Sequence, residues 1–442
     1  MYKRNIPLEL YNENNNNNNN EDGSCSDNSN KSLKLLADVA LADFEDDDND
    51  VVVENNNNNN NNNNPYAINY VDCAKYVCKD INNIRAHLDT YGVAVVLDVI
   101  GKEKCESLLN DTWTAIEGMT SEFSNEVLEK KAPSGRVVKR EPCLPVKRDD
   151  DSTWSGIGEL GLASKTIHQS GSSGFIKPCW EVRSDANVME VFAKLHNVDK
   201  SELVTSTDGF GFYLPNYHKK GHFANAKKQP TTVEKLRNMV NLHVDTVYTE
   251  KCMKRDHVQS FVNVRETKEG QATFCFIPES HKLHFDLAER FPEKKETVTK
   301  FKILNVFDLD WYLLEQKKRV EALMLPAGSM VLFYSRTVHC GAKPMVAAAD
   351  DAIRLTFYVC QVPLTKKWFT EAELARKAEY VKQGRTTTHQ PADFQLFSKA
   401  YNNRFGITQK IVYPQFDWTT LTDVQKRLAG FDQNNNLRKI AN

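Results

Sequence analysis

Between residues 239 and 362 the chain is a succession of short β-rich runs: MVNLHVDTVY, VQSFVNVRE, QATFCFIP, KILNV, EALMLP, SMVLFYS and IRLTFYVCQV. Turn residues separate most of them, among them Gly270, Pro278 and Pro326-Ala327-Gly328. Many short strands with apolar alternation predict a β-sandwich or barrel. Residues 204–214 read as one further strand with Gly209 and Gly211 inside it, and GVAVVLDVI at 92–100 as a buried strand. Helical spacing falls at 82–90, 105–120, 186–197 and 370–383, within the β series at 283–290 and 311–318, and in DFQLFSKAYNNRFG and WTTLTDVQKRLAGF near the end. Residues 129–154 lack periodicity and are rich in Lys, Arg, Asp and Pro, which predicts an extended surface loop. The expected fold class is mainly β with helices packed outside it, an α+β arrangement.

The globular part starts late. Asparagine tracts at 14–20 and 55–64 have no apolar surface to offset the entropy of ordering. Residues 1–64 carry 13 acidic and 4 basic side chains against 46 and 53 in the remainder, so the net charge of −2 hides an acidic tail on a mildly basic domain. We expect a disordered tail over 1–64, holding a transient helix at 32–44, and one elaborated domain over 65–442 with its β core at about 200–365. The charge balance excludes a wholesale electrostatic binder of nucleic acid. No run of about 18 apolar residues occurs, so no membrane-spanning helix is expected. The first residues lack the apolar region of a secretory signal. The 10 cysteines are scattered without a Cys-x-x-Cys, which fits reduced thiols and a cytoplasmic location. Lys139-Arg140 and Lys147-Arg148 leave a nuclear location open, or are basic pairs on a solvated loop.

Histidine followed two residues later by aspartate occurs at His87/Asp89, His243/Asp245 and His284/Asp286. Chance gives about 1.5 such spacings for Asp or Glu, so local structure decides. Residues i and i+2 share a face on a strand but lie roughly 200° apart on a helix. His87 and His284 fall in helical stretches; His243 and Asp245 fall among alternating valines, where both can grip one metal ion. Two imidazoles and one carboxylate with open positions are the pattern for non-heme iron(II). His339, at the end of an apolar strand and before Gly341, is the candidate third ligand. Arg354 shares a strand face with Thr356 and Tyr358, opposite Leu355, Phe357 and Val359. A buried arginine needs an anionic partner, and its planar fork matches a carboxylate. The functional reading is a clamp on 2-oxoglutarate helped by Thr356; the plainer reading is a structural ion pair. Gln259 and Asn263 are placed to face the interior, with Gln259 the candidate cosubstrate contact. Tyr213 and Trp180 are candidates for the entrance. Arg336 either pairs an acidic substrate group or braces its loop, and His389 caps the C-terminal packing.

These residues resemble the Fe(II)/2-oxoglutarate dioxygenases of the phytanoyl-CoA dioxygenase type. The likeness is carried by TYGVAVV, the His-x-Asp strand, the PESH turn, the P-A-G-S-x-V-L-F run (326–333), and His339 followed by Arg354. Ser-Arg-Thr-x-His at 335–339, Asp208-Gly209 and RTTTHQP at 385–391 resemble a poorly characterised branch. The resemblance implies a double-stranded β-helix (jelly-roll, cupin-like) core. It implies Fe(II) on His243, Asp245 and His339, and 2-oxoglutarate chelating the metal and anchored by Arg354. The implied activity is hydroxylation of an organic small molecule with release of succinate and CO2. A catalytically silent β-helix used as a scaffold is the alternative from another class, and a non-oxidative cupin-like metalloenzyme is a third.

Overall fold

The computed structural model describes residues 64–126, 128–131, 137–140, 143–160, 166–214, 229–246, 257–290, 302–303, 306–342, 353–396 and 409–442. The expected tail, apart from its last residue, and the helix expected at 32–44 lie outside these residues. Two six-stranded sheets form the core. Sheet one runs β1 (Ile68–Asp72), β12 (Val320–Met324), β10 (Thr273–Phe276), β14 (His339–Ala342), β8 (His243–Val244) and β11 (Lys302–Ile303). Sheet two runs β2 (Val93–Val96), β13 (Ser329–Tyr334), β9 (Val258–Asn263), β15 (Arg354–Val359), β7 (Phe210–Tyr213) and β5 (Ile167–His168). A hairpin of β3 (Leu128–Lys131) and β4 (Val137–Arg140), and the pair β6 (Leu203–Thr205) with β16 (Gln361–Pro363), stand apart.

The chain crosses between the sheets as it proceeds. Strand β7 lies in sheet two, β8 in one, β9 in two and β10 in one; β12, β13, β14 and β15 repeat the alternation. That winding is the expected double-stranded β-helix, and the α+β class holds. Period-two burial explains how it closes. Leu355, Phe357 and Val359 point out of sheet two into a cluster with Leu108, Trp113 and Phe192 of the helices Lys102–Met119 and Ala186–His196. Cys275, Ala322 and Cys340 point out of sheet one toward Leu236, Leu309 and Tyr312. Between the sheets, Phe261, Phe274, Phe276 and Phe333 pack with Val93, Val95 and Val331. Each such aromatic contributes about 1.5–3 kcal/mol relative to exposure.

Several expected elements differ. Residues 204–214 are two strands, β6 and β7, because the chain leaves one pairing for another at Ser206–Gly209. A Cβ on Gly209 would lie 1.9 Å from the His168 carbonyl, so only glycine admits this crossing. The strand expected over 239–248 shrinks to β8, because a helix occupies Val233–Met239 just before it. IRLTFYVCQV is likewise two strands, β15 and β16. The loop expected over 129–154 contains the β3–β4 hairpin and leads into a 3-10 helix, Asp151–Glu159. Its Trp154 is buried against Trp113, centroids 5.5 Å apart, which anchors a segment whose polar composition hides that contact. Residues 393–396 are not helical, and the rest of that expected helix lies outside the described residues. All described cysteines are buried. No helix among the described residues is long and apolar enough to cross a membrane.

Candidate metal centre

His243 opens β8 and His339 opens β14, and the two residues face each other as antiparallel partners. Asp245 follows β8 directly, its N–H donating to the Ser335 carbonyl at 2.8 Å. One ligand atom from each of His243, Asp245 and His339 lies within 4.8 Å of the others. The His243 Nε2 is 3.8 Å from Asp245 Oδ1, and the His339 Nε2 is 3.5 Å from Oδ2. The imidazole centroids are 4.5 Å apart.

Hydrogen bonds set both rings. The Nδ1 of His243 is 2.6 Å from the Asn241 carbonyl, and the Nδ1 of His339 is 2.8 Å from the Thr337 carbonyl. A carbonyl only accepts, so each Nδ1 carries the proton and each Nε2 presents a lone pair toward the carboxylate. Burial, reinforced by the neighbouring His339 imidazole, pushes His243 down to about 4. Burial works to raise the Asp245 carboxyl, but His243 and His339 overcome it and hold it below the usual carboxylate range. A neutral His243 imidazole beside an ionised carboxylate is a state a divalent metal binds.

Gln259, on β9 in sheet two, reaches across to this centre. Its Nε2 donates to Asp245 Oδ2 at 3.0 Å and to Ser335 Oγ at 3.1 Å. The amide thus orients the carboxylate, a contact beyond the cosubstrate role expected for it. Residues 335–339 are pinned from two other sides. Thr337 Oγ1 donates to the Gly92 carbonyl at 2.9 Å, and the Val338 N–H donates to Ser280 Oγ of the PESH turn at 2.8 Å. Ser280, Ser335 and Thr337 were visible only as members of motifs; their task emerges once TYG, PESH and SRTVH meet around one histidine.

Arg354 lies at the other end of sheet two, opposite Tyr213, with its guanidinium 5.6 Å from the Phe261 ring. The groups that bear on its charge are Tyr358, Cys275 and Cys340, none of them a carboxylate. Its Nε is buried without a hydrogen-bond partner. Thr356, the next residue on that face, is fully buried. A Cβ on Gly341, two residues beyond His339, would come within 3.9 Å of the guanidinium. Arg354 therefore spans toward the strand that carries His339, and a small carboxylate fits the orphaned donor. Among the described residues, the plainer reading, an internal ion pair, finds no acid to make one.

The remaining candidates divide. Asn263 is buried and donates to the Arg265 and Pro326 carbonyls at 2.5 and 3.4 Å. Tyr213 is buried beside Arg354. Trp180 is not at an entrance: it packs with Phe175 and Phe416, centroids 5.9 and 6.3 Å away, and under Arg183. Arg336 stacks on Tyr334 at 4.1 Å, which is the bracing role. His389 lies on the segment whose Thr386 and Thr387 dock against Gly174 and Thr207.

Residues 215–344 match the phytanoyl-CoA dioxygenase (PhyH) family model, a span that includes the three clustered residues and stops short of Arg354. The chain is 27% identical over 251 residues to Ava biosynthesis cluster protein O of Aspergillus versicolor, covering 55% of this chain and 71% of that protein. A hypothetical protein of Escherichia coli, JW0805, superposes with a TM-score of 0.48 at 11% identity, over 83% of this chain and 86% of its own. The epimerase SnoN, solved with Fe3+, alpha-ketoglutarate and nogalamycin RO, superposes with a TM-score of 0.36 at 10% identity, over 64% of this chain and 85% of its own.

Proposed function

We propose, on the premise that this chain is a phytanoyl-CoA dioxygenase (PhyH)-like family member, that it is an Fe(II)- and 2-oxoglutarate-dependent oxygenase that hydroxylates an organic small molecule. The observation that carries the proposal is the meeting of His243, Asp245 and His339 within 4.8 Å of one another, beside a strand whose Arg354 has no carboxylate partner among the described residues. Two imidazoles and a carboxylate leave metal positions open, as iron(II) oxygen chemistry requires. Bound together there, iron(II) and 2-oxoglutarate supply dioxygen activation, with succinate and carbon dioxide as the products of the keto acid.

The chain's own residues do the rest. His243 and His339 present Nε2 because backbone carbonyls hold their Nδ1 protons. Gln259 fixes the Asp245 carboxylate. Arg354, with Thr356 on the same face, receives the distal carboxylate of the keto acid as a charge-assisted pair. Phenylalanines 261, 274, 276 and 333 keep water from the space between the sheets. The Aspergillus relative is named for a biosynthesis cluster, in keeping with a small organic substrate.

The test is metal-dependent turnover. The full chain with Fe(II), ascorbate and 2-oxoglutarate should release succinate, and His243→Ala or Asp245→Ala should abolish both this and Fe(II) binding. Undiminished succinate release in either variant would sink the proposal.

A further inference from the structure

Register fixes the polarity of the cavity. Along β15, Arg354 faces Tyr213 of β7, and Phe357 faces Phe210; Thr356 faces Asn263 of β9, and Val359 faces Ser260. Arg354 therefore marks one end of sheet two. The start of β7 and the start of β9, where Gln259 reaches Asp245, mark the other. At that second end, immediately before β7, stands Asp208.

Asp208 is 2% exposed. Its Oδ1 accepts from Gln169 Nε2 and from the Gly209 N–H, both at 2.6 Å, while Oδ2 accepts no hydrogen bond. The fully buried Arg183 does not pair with this carboxylate: its guanidinium donates to the Gly174 carbonyl at 2.6 Å and to the main-chain oxygen of Asp208 itself. Burial pushes the Asp208 carboxyl up to about 6 against the pull of Gln169, Gly209 and Arg183, and Asp245 adds to the rise. The second oxygen of this carboxylate takes no hydrogen bond from the described residues and is left for an outside donor.

A second segment closes over the same place. Gly174 N–H donates to Thr386 Oγ1 at 2.9 Å, Thr387 N–H donates to the Thr207 carbonyl at 3.1 Å, and the hydroxyls of Thr207 and Thr387 are 3.1 Å apart. These contacts hold residues 386 and 387 against Thr207 and Gly174, next to Asp208. Neither Asp208 nor the 385–389 segment has a task in holding metal or keto acid.

We infer that Asp208, beside the docked Thr386–Thr387 segment, belongs to the substrate-recognising wall at this end of sheet two, and that Oδ2 takes a hydrogen-bond donor of the substrate, an amine or a hydroxyl. The inference rests on the oxygenase reading, which supplies the reason for a substrate there. A donor held at this end is presented to the metal from the side opposite Arg354.

The test uses the full chain and matched pairs of probes: amino acids and polyamines against their N-acetyl forms, and hydroxy acids and polyols against their O-methyl ethers. Binding is read by titration and thermal shift, with and without Co(II) and 2-oxoglutarate. At least one unmodified compound should bind about tenfold more tightly than its blocked partner, and the arm that responds tells amine from hydroxyl. Asp208→Asn keeps an acceptor for Gln169 and Gly209 and puts an NH2 where Oδ2 stood, so it should erase that preference. Equal binding of blocked and unblocked partners, a preference that survives Asp208→Asn, or no binding by any donor compound would each overturn the inference. The wild-type pairs decide the matter even if the variant does not fold. Loss of the oxygenase reading shows separately, as failure of the wild type to bind Co(II) or 2-oxoglutarate.

Discussion

The two sheets hold their functional residues in different ways. In sheet two, β13 pairs with β9 over six consecutive residue pairs and β15 with β9 over four, so Arg354 and Thr356 ride on continuous ladders. In sheet one, β8 has two residues, and its link to β14 is the single pair His243–His339. There the ladder is replaced by side-chain and turn contacts from Gln259, Ser280, Ser335 and Gly92. The Arg354 end is preorganised by strand pairing, and the proposed metal end depends on tethers that each supply about 1 kcal/mol. A bound metal would add to folding stability mainly at the second end.

The largest effect that separates the two ends belongs to the clamp. Arg354→Gln removes the charge but leaves the ladder, so Fe(II) should still bind and the fold should persist. Affinity for 2-oxoglutarate should fall by two or more orders of magnitude, because breaking one side of a buried charge pair costs about 3–5 kcal/mol. Titration of 2-oxoglutarate into the metal-loaded variant checks this. Unchanged affinity would return Arg354 to a purely structural place.

That asymmetry also explains what could be seen in the residues alone. The face of Arg354 was legible because period-two alternation in RLTFYV assigns faces directly, and its two four-pair ladders tolerate no slip. The proposed metal ligands were legible as chemistry, since His-x-Asp on a strand puts both side chains on one face, and the structure brings a later strand-end histidine to them. The geometry of β8 was not, because a two-residue strand is defined by its tethers and not by its own periodicity. Strand β1 was missed because INYVD buries only its first residue well and pairs in parallel with a partner some 250 positions on. Asp208 was visible as half of a glycine turn, but its burial follows from the docking of residues 385–389, which no local pattern announces.

A smaller effect comes from acid. His168 on β5 of sheet two and His243 on β8 of sheet one are both pushed down to about 4 by burial. The unfolded chain, titrating near 6.5, then binds more protons than the folded one between pH 6.5 and about 4. Stability from these groups is fully present above pH 6.5, falls as pH drops through that window, and is gone below about 4. Each is worth about 3 kcal/mol at most by this linkage. A divalent ion competes with the proton at His243 alone. Denaturation midpoints measured from pH 7.5 to 4.5 should therefore fall in both conditions, with Co(II) reducing the loss near neutrality and ceasing to help as His243 protonates. Parallel curves with and without the ion would show that the two histidines belong to equivalent environments.

The smallest effect reaches the metal end through the backbone. Gly92 ends the helix Ile84–Tyr91 with φ +80°, and its carbonyl accepts from Thr337 Oγ1 and from the Tyr334 N–H. A Cβ there would lie 2.5 Å from His281 Nδ1 and 2.9 Å from Thr337 Oγ1. Gly92→Ala should cost about 1–3 kcal/mol, from the left-handed backbone and the displaced neighbours. Part of that should surface as weaker metal binding, since Thr337 holds the His339 ring through its carbonyl. Gly101→Ala is the matching control: φ is −66° and nothing lies within 4 Å of its added carbon. Urea midpoints and Co(II) titrations on the two variants separate the cases. If Gly92→Ala lowers the midpoint yet leaves Co(II) affinity at the wild-type value, the tether from Gly92 supports the fold and not the ligand, and the metal end is stiffer than its short strands imply.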